Sequence, residues 1–269
     1  MQTVLVTGST RGLGYEMSRC FRLAGWNVVM NGVNRQRLEQ AVEAMRGLSG
    51  DGTAEGICAN VANEADLQAM ADFALERFGS IDIWINNAGV NQPMKPLWEL
   101  SVSEIDAILD IDLRGAVLGS RVAVQLMGKQ AEGGYIYNVE GHGSNDAMIT
   151  GLNMYGTSKR AVTYFTQALA KELEEHGSKV KAGRLSPGIM ITDFTVKALG
   201  GSEDIALPEK TKNVYNILGD YPDVVAEFLV GRMLANTKNN AHIQWLTNGK
   251  AALRFMTAGF KKRDFFAEK

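Results

Sequence analysis

Seven short apolar runs, at 3–7, 27–32, 55–60, 81–86, 134–139, 180–186 and 242–247, alternate with helical patterns near 12–24, 35–48, 64–78, 103–129, 153–176 and 222–236. Strands that alternate with helices join through right-handed crossovers into a parallel sheet covered by helices on both faces. The chain therefore reads as α/β, one domain over 1–269 built on a doubly wound parallel sheet of Rossmann type. Such sheets take their ligands at the carboxyl ends of the strands. Chemistry is accordingly sought in 8–14, 31–35, 87–98, 140–152 and 187–218.

A chain of 269 residues with 45% hydrophobic content can bury a full core, and no repeat, low-complexity stretch or long linker divides it. A net charge of −2 makes no electrostatic case for nucleic acid. Cys20 and Cys58 have no metal-ligand spacing around them, so buried free thiols in a reducing compartment, and no metal site, are expected. The first strand begins at Thr3, which leaves no room for a signal peptide, and no run approaches the ~18 apolar residues of a membrane helix. A soluble, cytoplasmic protein is the expectation.

The first strand runs into Thr7-Gly8-Ser9-Thr10-Arg11-Gly12-Leu13-Gly14. Glycines in a strand-to-helix turn let backbone approach a pyrophosphate, with the N–H groups of the helix start aimed at the anion. A glycine triplet also serves plain turns; its place in the first such turn of an α/β chain favours the nucleotide. Tyr155 and Lys159 stand one helical turn apart on the same face. An ammonium beside a phenol, whose pKa is ordinarily about 10, stabilises the phenolate and lets it trade protons with a carbonyl or alcohol oxygen. An amphipathic helix with a half-buried Tyr and a solvated Lys would give the same pattern. The nucleotide turn is what favours the chemical reading.

Four elements, Thr7 to Gly14, Asn86-Asn87-Ala88-Gly89, the Tyr155/Lys159 pair and Pro187-Gly188-Ile189-Met190-Ile191-Thr192, resemble the motifs of the short-chain dehydrogenase/reductase family in order and spacing, over residues 3 to about 195. The resemblance implies that Tyr155 is the general acid during hydride delivery to a carbonyl. It makes Lys159 the group that lowers its pKa and holds the nicotinamide ribose, with Thr192, beyond Pro187 and Gly188, on the carboxamide. Asn87, Ala88 and Gly89 would flank the adenosine ribose, and Asn60 and Val61 the adenine, where the family more often has Asp in place of Asn60. An NAD site wants a carboxylate at the end of the second strand, and Gly32 stands there. Arg11, helped by Ser9, Asn34 or Arg35, can pair with a 2′-phosphate instead. The cofactor expected is NADP(H).

Two positions depart from the family. Gly141 stands in the slot of the catalytic serine, and Ser144 is the nearest hydroxyl; the Gly141-His142-Gly143 bend is expected to bring Ser144 to the substrate oxygen beside Tyr155. His142 is the other candidate donor, or else a surface histidine. Asp112 replaces an Asn that holds a relay water; it can accept from that water but cannot donate when ionised.

Further residues, among them Lys95-Pro96-Leu97, Gly141 to Ser144 and Gln244-Trp245-Leu246-Thr247, are similar to the chlorophyll b reductase branch. That branch implies reduction of the C7 formyl of a chlorophyll(ide) b type tetrapyrrole by NADPH, in plastid stroma or at the thylakoid surface if a transit peptide has been removed. Two other readings stand beside it: a general ketone or aldehyde reductase for a lipid-like, acyl or sterol substrate, and a nucleotide-binding interaction protein that has lost catalysis. The segment 193–218 suits a mobile lid. The tail 250–269, with Phe255, Phe260, Phe265 and Phe266 among basic residues, reads either as a core-covering end or as a surface for a partner, an apolar substrate or a membrane face. The long helices at 103–129 and 153–176 resemble the pair through which the family forms homo-oligomers.

Overall fold

Seven parallel strands form one sheet in the order β3-β2-β1-β4-β5-β6-β7: β1 Thr3–Val6, β2 Asn27–Gly32, β3 Ala54–Cys58, β4 Ile83–Asn86, β5 Gly134–Val139, β6 Val180–Ser186 and β7 Ala241–Gln244. The computed structural model describes residues 1–192, 209–260 and 263–266. The strand order reverses between β1 and β4, which pair Val4 with Ile83 and Val6 with Ile85. Loops leaving the two strands diverge there and open a crevice at their carboxyl ends.

The helices are α1 Gly12–Leu23, α2 Arg35–Arg46, α3 Glu64–Phe78, α4 Val102–Ile108, α5 Gly115–Met127, α6 Asn153–Glu175, α7 Glu209–Leu218, α8 Pro222–Leu234 and α9 Asn248–Thr257. Side chains alternate across a strand, and the core divides accordingly. Val4 and Val6 pack with Met17 and Phe21 of α1 and Val225 and Leu229 of α8. Leu5 faces the other way, onto Leu67 and Met70 of α3 and Val122 and Met127 of α5. Leu5 has no exposed surface, and truncating it to Ala is expected to cost about 2–5 kcal/mol.

The stretch expected as one helix over 103–129 is three pieces, because a π-helical turn, Leu109–Arg114, separates α4 from α5. Extra residues in such a turn re-aim the side chains it carries, and Asp112 is one of them. The segment 193–218 divides at the edge of the described residues: 193–208 lie outside them, and 209–218 is helical. In the tail, Phe265 packs edge-on against Tyr221 and Phe266 against Tyr215, while Phe255 and Phe260 are exposed. Both cysteines are free, and Cys58 is exposed rather than buried. It ends β3, the edge strand of the sheet, paired on one side alone, with Gly32 of β2.

Candidate active site

The glycine turn is locked to the end of β4 by side chains. Thr7 Oγ1 accepts the N–H groups of Asn87 and Ala88 at 2.9 and 3.0 Å. Asn87 Nδ2 donates back to the carbonyls of Thr7 and Gly8 at 2.9 and 3.0 Å. Gly8 has φ +61°, and a Cβ there would lie 2.7 Å from Ala88 Cα, so this contact demands glycine. A Cβ on Gly12 would meet nothing within 4 Å: the backbone at the start of α1 faces open space, as a nucleotide's phosphates require.

At the end of β2 the polar groups are turned inward. Asn31 Nδ2 donates to Ala59 O at 2.9 Å and its Oδ1 accepts the Gly8 N–H at 3.2 Å. Ser9 Oγ accepts the Asn31 N–H at 2.9 Å. Gly32 carries no carboxylate, and Thr10 lies against it. Arg11 is exposed, with no partner among the described residues. Asn34 caps α2 through its contact with the Arg37 N–H at 2.9 Å. Asn60 Oδ1 accepts the Ala62 N–H at 3.0 Å in a turn next to the buried Val61.

Tyr155 and Lys159 are buried on α6, and Lys159 Nζ lies 5.6 Å from the centre of the Tyr155 ring. The ammonium also lies 3.2 Å from Asp112 Oδ2. That contact is a buried ion pair, while Oδ1 accepts the Val90 N–H at 2.7 Å. Burial pushes the Asp112 carboxyl up against the pull of Lys159. For Lys159 burial is the largest influence and acts downward, and the Asp112 charge, the Tyr155 phenol and the contact with Asp112 together outweigh it and hold the ammonium above its ordinary value. Tyr155 differs from the expectation: burial, joined by the Asp112 charge, raises its pKa, and Lys159 offsets this only in part.

The short chain dehydrogenase family model matches residues 2–200. The chain belongs to this family. It is 34% identical, over 98% of its length and 78% of the relative's, to a chlorophyll(ide) b reductase, chloroplastic, of Oryza sativa subsp. japonica. It is 30% identical to a probable chlorophyll(ide) b reductase, chloroplastic, of Arabidopsis thaliana, over 98% of this chain and 54% of that protein; the chain spans about half the length of this second relative. A solved metagenomic short-chain oxidoreductase in complex with NADP superposes with a TM-score of 0.72 at 22% identity, covering 91% of this chain and 96% of that one, which speaks to the fold.

As a short-chain dehydrogenase the chain is an oxidoreductase, and its departures from the family now have geometry. A Cβ on Gly141 would lie 2.4 Å from the Tyr155 hydroxyl oxygen, so a serine in that slot cannot coexist with Tyr155 where it stands. Ser144, expected to face the substrate oxygen, bonds within the turn and to α6. Its hydroxyl donates to Lys159 O and accepts the Gly141 N–H, both at 3.2 Å. The bend at Gly141 to Gly143 returns the chain onto α6, and Ser144 braces that contact with its one proton. His142 is half-buried, and burial lowers its pKa; its Nε2 is buried with no hydrogen-bond partner among the described residues.

Pro187 and Gly188 follow β6, and Gly188, with φ +75°, packs on Leu246. Thr192 is half-buried just past the bridge of Met190 to Asp220.

Two further residues support the site and carry no family motif. Glu140, at the end of β5, is buried and accepts from Thr163 at 2.9 Å, Ser186 at 2.6 Å and His242 at 3.0 Å, with Arg184 at 3.4 Å. Burial would raise its carboxyl, yet those donors hold it at about 2. Gln92, with no exposed surface, caps α6 from the loop after β4.

Proposed function

We propose that the chain is an NADPH-dependent reductase that converts the C7 formyl group of a chlorophyll(ide) b type tetrapyrrole to hydroxymethyl. The observation that carries this reading is similarity to relatives named for that activity over 98% of the chain, beyond the nucleotide half and into the segments that shape substrate access. The open space beside the Gly12 backbone supports a nucleotide, and the end of β2, which carries no carboxylate, together with the exposed Arg11 supports its 2′-phosphate. The residues that would hold the cofactor are Gly8, Arg11, Gly12, Leu13 and Gly14 at the phosphates, with Asn87, Ala88, Gly89 and Lys159 along the riboses and Thr192 at the carboxamide; Ser9, expected among them, is buried with its N–H and hydroxyl both bonded to Asn31.

Bound there, reduced nicotinamide supplies the hydride for the carbonyl carbon. Tyr155 gives its hydroxyl proton to the carbonyl oxygen as the C=O π bond opens, so –CHO becomes –CH₂OH. Burial keeps Tyr155 protonated before the reaction, and Lys159 stabilises the phenolate left behind. An apolar substrate suits the mouth of the site: Met94, Leu97, Trp98, Met148 and Ile149 are exposed on two loops that meet where Met94 touches Gly151.

The test is purified protein with NADPH or NADH, offered chlorophyllide b and a small aromatic aldehyde, with products identified by mass spectrometry. Gain of two hydrogens by chlorophyllide b, faster with NADPH, is expected. Reduction of the simple aldehyde alone would replace this reading with that of a general carbonyl reductase.

A further inference from the structure

Helix α6 begins with one local side-chain contact, Asn153 Oδ1 accepting the Met154 N–H at 2.8 Å. Leu152, at its N-cap position, offers no side-chain acceptor, and the first N–H groups of a helix have no partner within it. Tyr155 lies in that first turn, the part of a helix that frays most readily. A proton donor displaced by a fraction of an ångström is a poor catalyst.

The acceptor for the N–H of Tyr155 arrives from a residue far away in sequence. Gln92 Oε1 accepts the N–H of Met154 at 2.9 Å and that of Tyr155 itself at 3.0 Å. Its Nε2 donates to Gly151 O at 2.7 Å and to Asn153 Oδ1 at 3.2 Å. The Gln92 side chain and Tyr155 are buried, where an unmatched polar group is costly, so the arrangement is held on both sides of the amide. The same loop governs Lys159, because the Val90 N–H holds the Asp112 carboxylate that faces Lys159. One short segment, Val90 to Gln92, therefore sets the backbone of Tyr155 and the ammonium of Lys159 together.

We propose that Gln92 is a positioning residue, which fixes the first turn of α6 and through it the place of the Tyr155 hydroxyl. The inference rests on the reading of Tyr155 as the proton donor. Because the loop continues to Met94, Leu97 and Trp98 at the mouth of the site, Gln92 also joins the substrate rim to the reacting group.

The experiment compares Gln92→Leu, which has no acceptor, with Gln92→Glu, which keeps one. Amide hydrogen exchange on the unmodified protein should show Met154 and Tyr155 protected like the middle of α6. In Gln92→Leu that protection should be lost at Tyr155, while Met154 keeps Asn153 Oδ1 and Gly156 keeps Leu152 O as acceptors. The ultraviolet titration of Tyr155, isolated by subtracting Tyr155→Phe, should then move to lower pH as the phenol gains water; in Gln92→Glu it should not. With NADPH and either carbonyl, Gln92→Leu should lose roughly tenfold or more in kcat, with KM and NADPH affinity within about twofold, and Gln92→Glu should recover most of it. Unprotected amides in the unmodified protein, an unmoved phenol titration in Gln92→Leu, or equal loss in both variants would overturn the proposal. If Gln92→Leu does not fold, the exchange pattern of the unmodified protein and the titration of Gln92→Glu decide. Turnover that survives Tyr155→Phe would instead sink the proton-donor reading, while the exchange result still reports on the cap.

Discussion

Lys159 Nζ lies 3.2 Å from Asp112 Oδ2, with both side chains buried. The ammonium thus lies between the Tyr155 phenol and a carboxylate whose charge acts on that phenol in the opposite direction. Asp112→Asn keeps an acceptor for the Val90 N–H and removes the negative charge that pushes Tyr155 up. The pH at which Tyr155 titrates in kcat/KM is expected to fall in this variant. An unchanged or higher value would show that Asp112 does not act on Tyr155.

Gly141 and Tyr155 touch where the family has a serine. Restoring it as Gly141→Ser puts a Cβ 2.4 Å from the Tyr155 oxygen, which should cost about 1–3 kcal/mol of stability as overpacking and, by displacing the phenol, on the order of a hundredfold in turnover. Ser144→Ala removes only a brace between the turn and α6, with an expected loss of about 1 kcal/mol in stability and little in kcat. Denaturant midpoints and steady-state kinetics check both. A Gly141→Ser enzyme as fast as the unmodified one, or a Ser144→Ala enzyme that is inactive, would reverse the assignment.

Glu140 binds the ends of β5, β6 and β7 to α6. Its folded pKa of about 2 lies below the ordinary 4.5, so the stabilisation it provides is complete above about pH 4.5 and is lost as pH falls through about 2. Glu140→Gln should lower stability near neutral pH by about 3 kcal/mol, since it removes the charge that satisfies buried donors. It should also flatten the acid limb between those two pH values. Thermal unfolding from pH 2 to 7 measures this, and an unaltered acid limb would show that the carboxylate is not held as described.

Arg11 is the one cation of the glycine turn, and the end of β2 carries no acid. NADPH should bind more tightly than NADH, and Arg11→Ala should narrow the difference by about 1.5–3 kcal/mol, the range of a charge-assisted hydrogen bond. Titration of both cofactors into both proteins checks it. Equal affinities in the unmodified protein would contradict the assignment.

The strands were legible because each is a short apolar run beside a turn, and the Tyr155/Lys159 pair because helical spacing alone puts it on one face. The π-helical turn at Leu109–Arg114 was not, since its composition continues the helical pattern on either side. Gln92 was hidden for a different reason: its partners, Met154 and Tyr155, lie some sixty residues away, and nothing local marks a glutamine as a helix cap. Glu140 likewise draws its donors from α6, β6 and β7, so only the folded sheet explains a carboxylate at the end of a buried strand. Ser144 illustrates the converse. Its nearness in sequence to the empty serine slot suggested a catalytic hydroxyl, and the bend that brings it close also gives its proton to Lys159 O.

The most direct test is Tyr155→Phe in the presence of NADPH and chlorophyllide b. The substitution removes one oxygen from a buried ring that packs beside Lys159, so fold and cofactor affinity should persist while formation of the hydroxymethyl product falls to background. Substantial turnover by this variant would contradict the account, because the proton for the carbonyl oxygen would then come from another group.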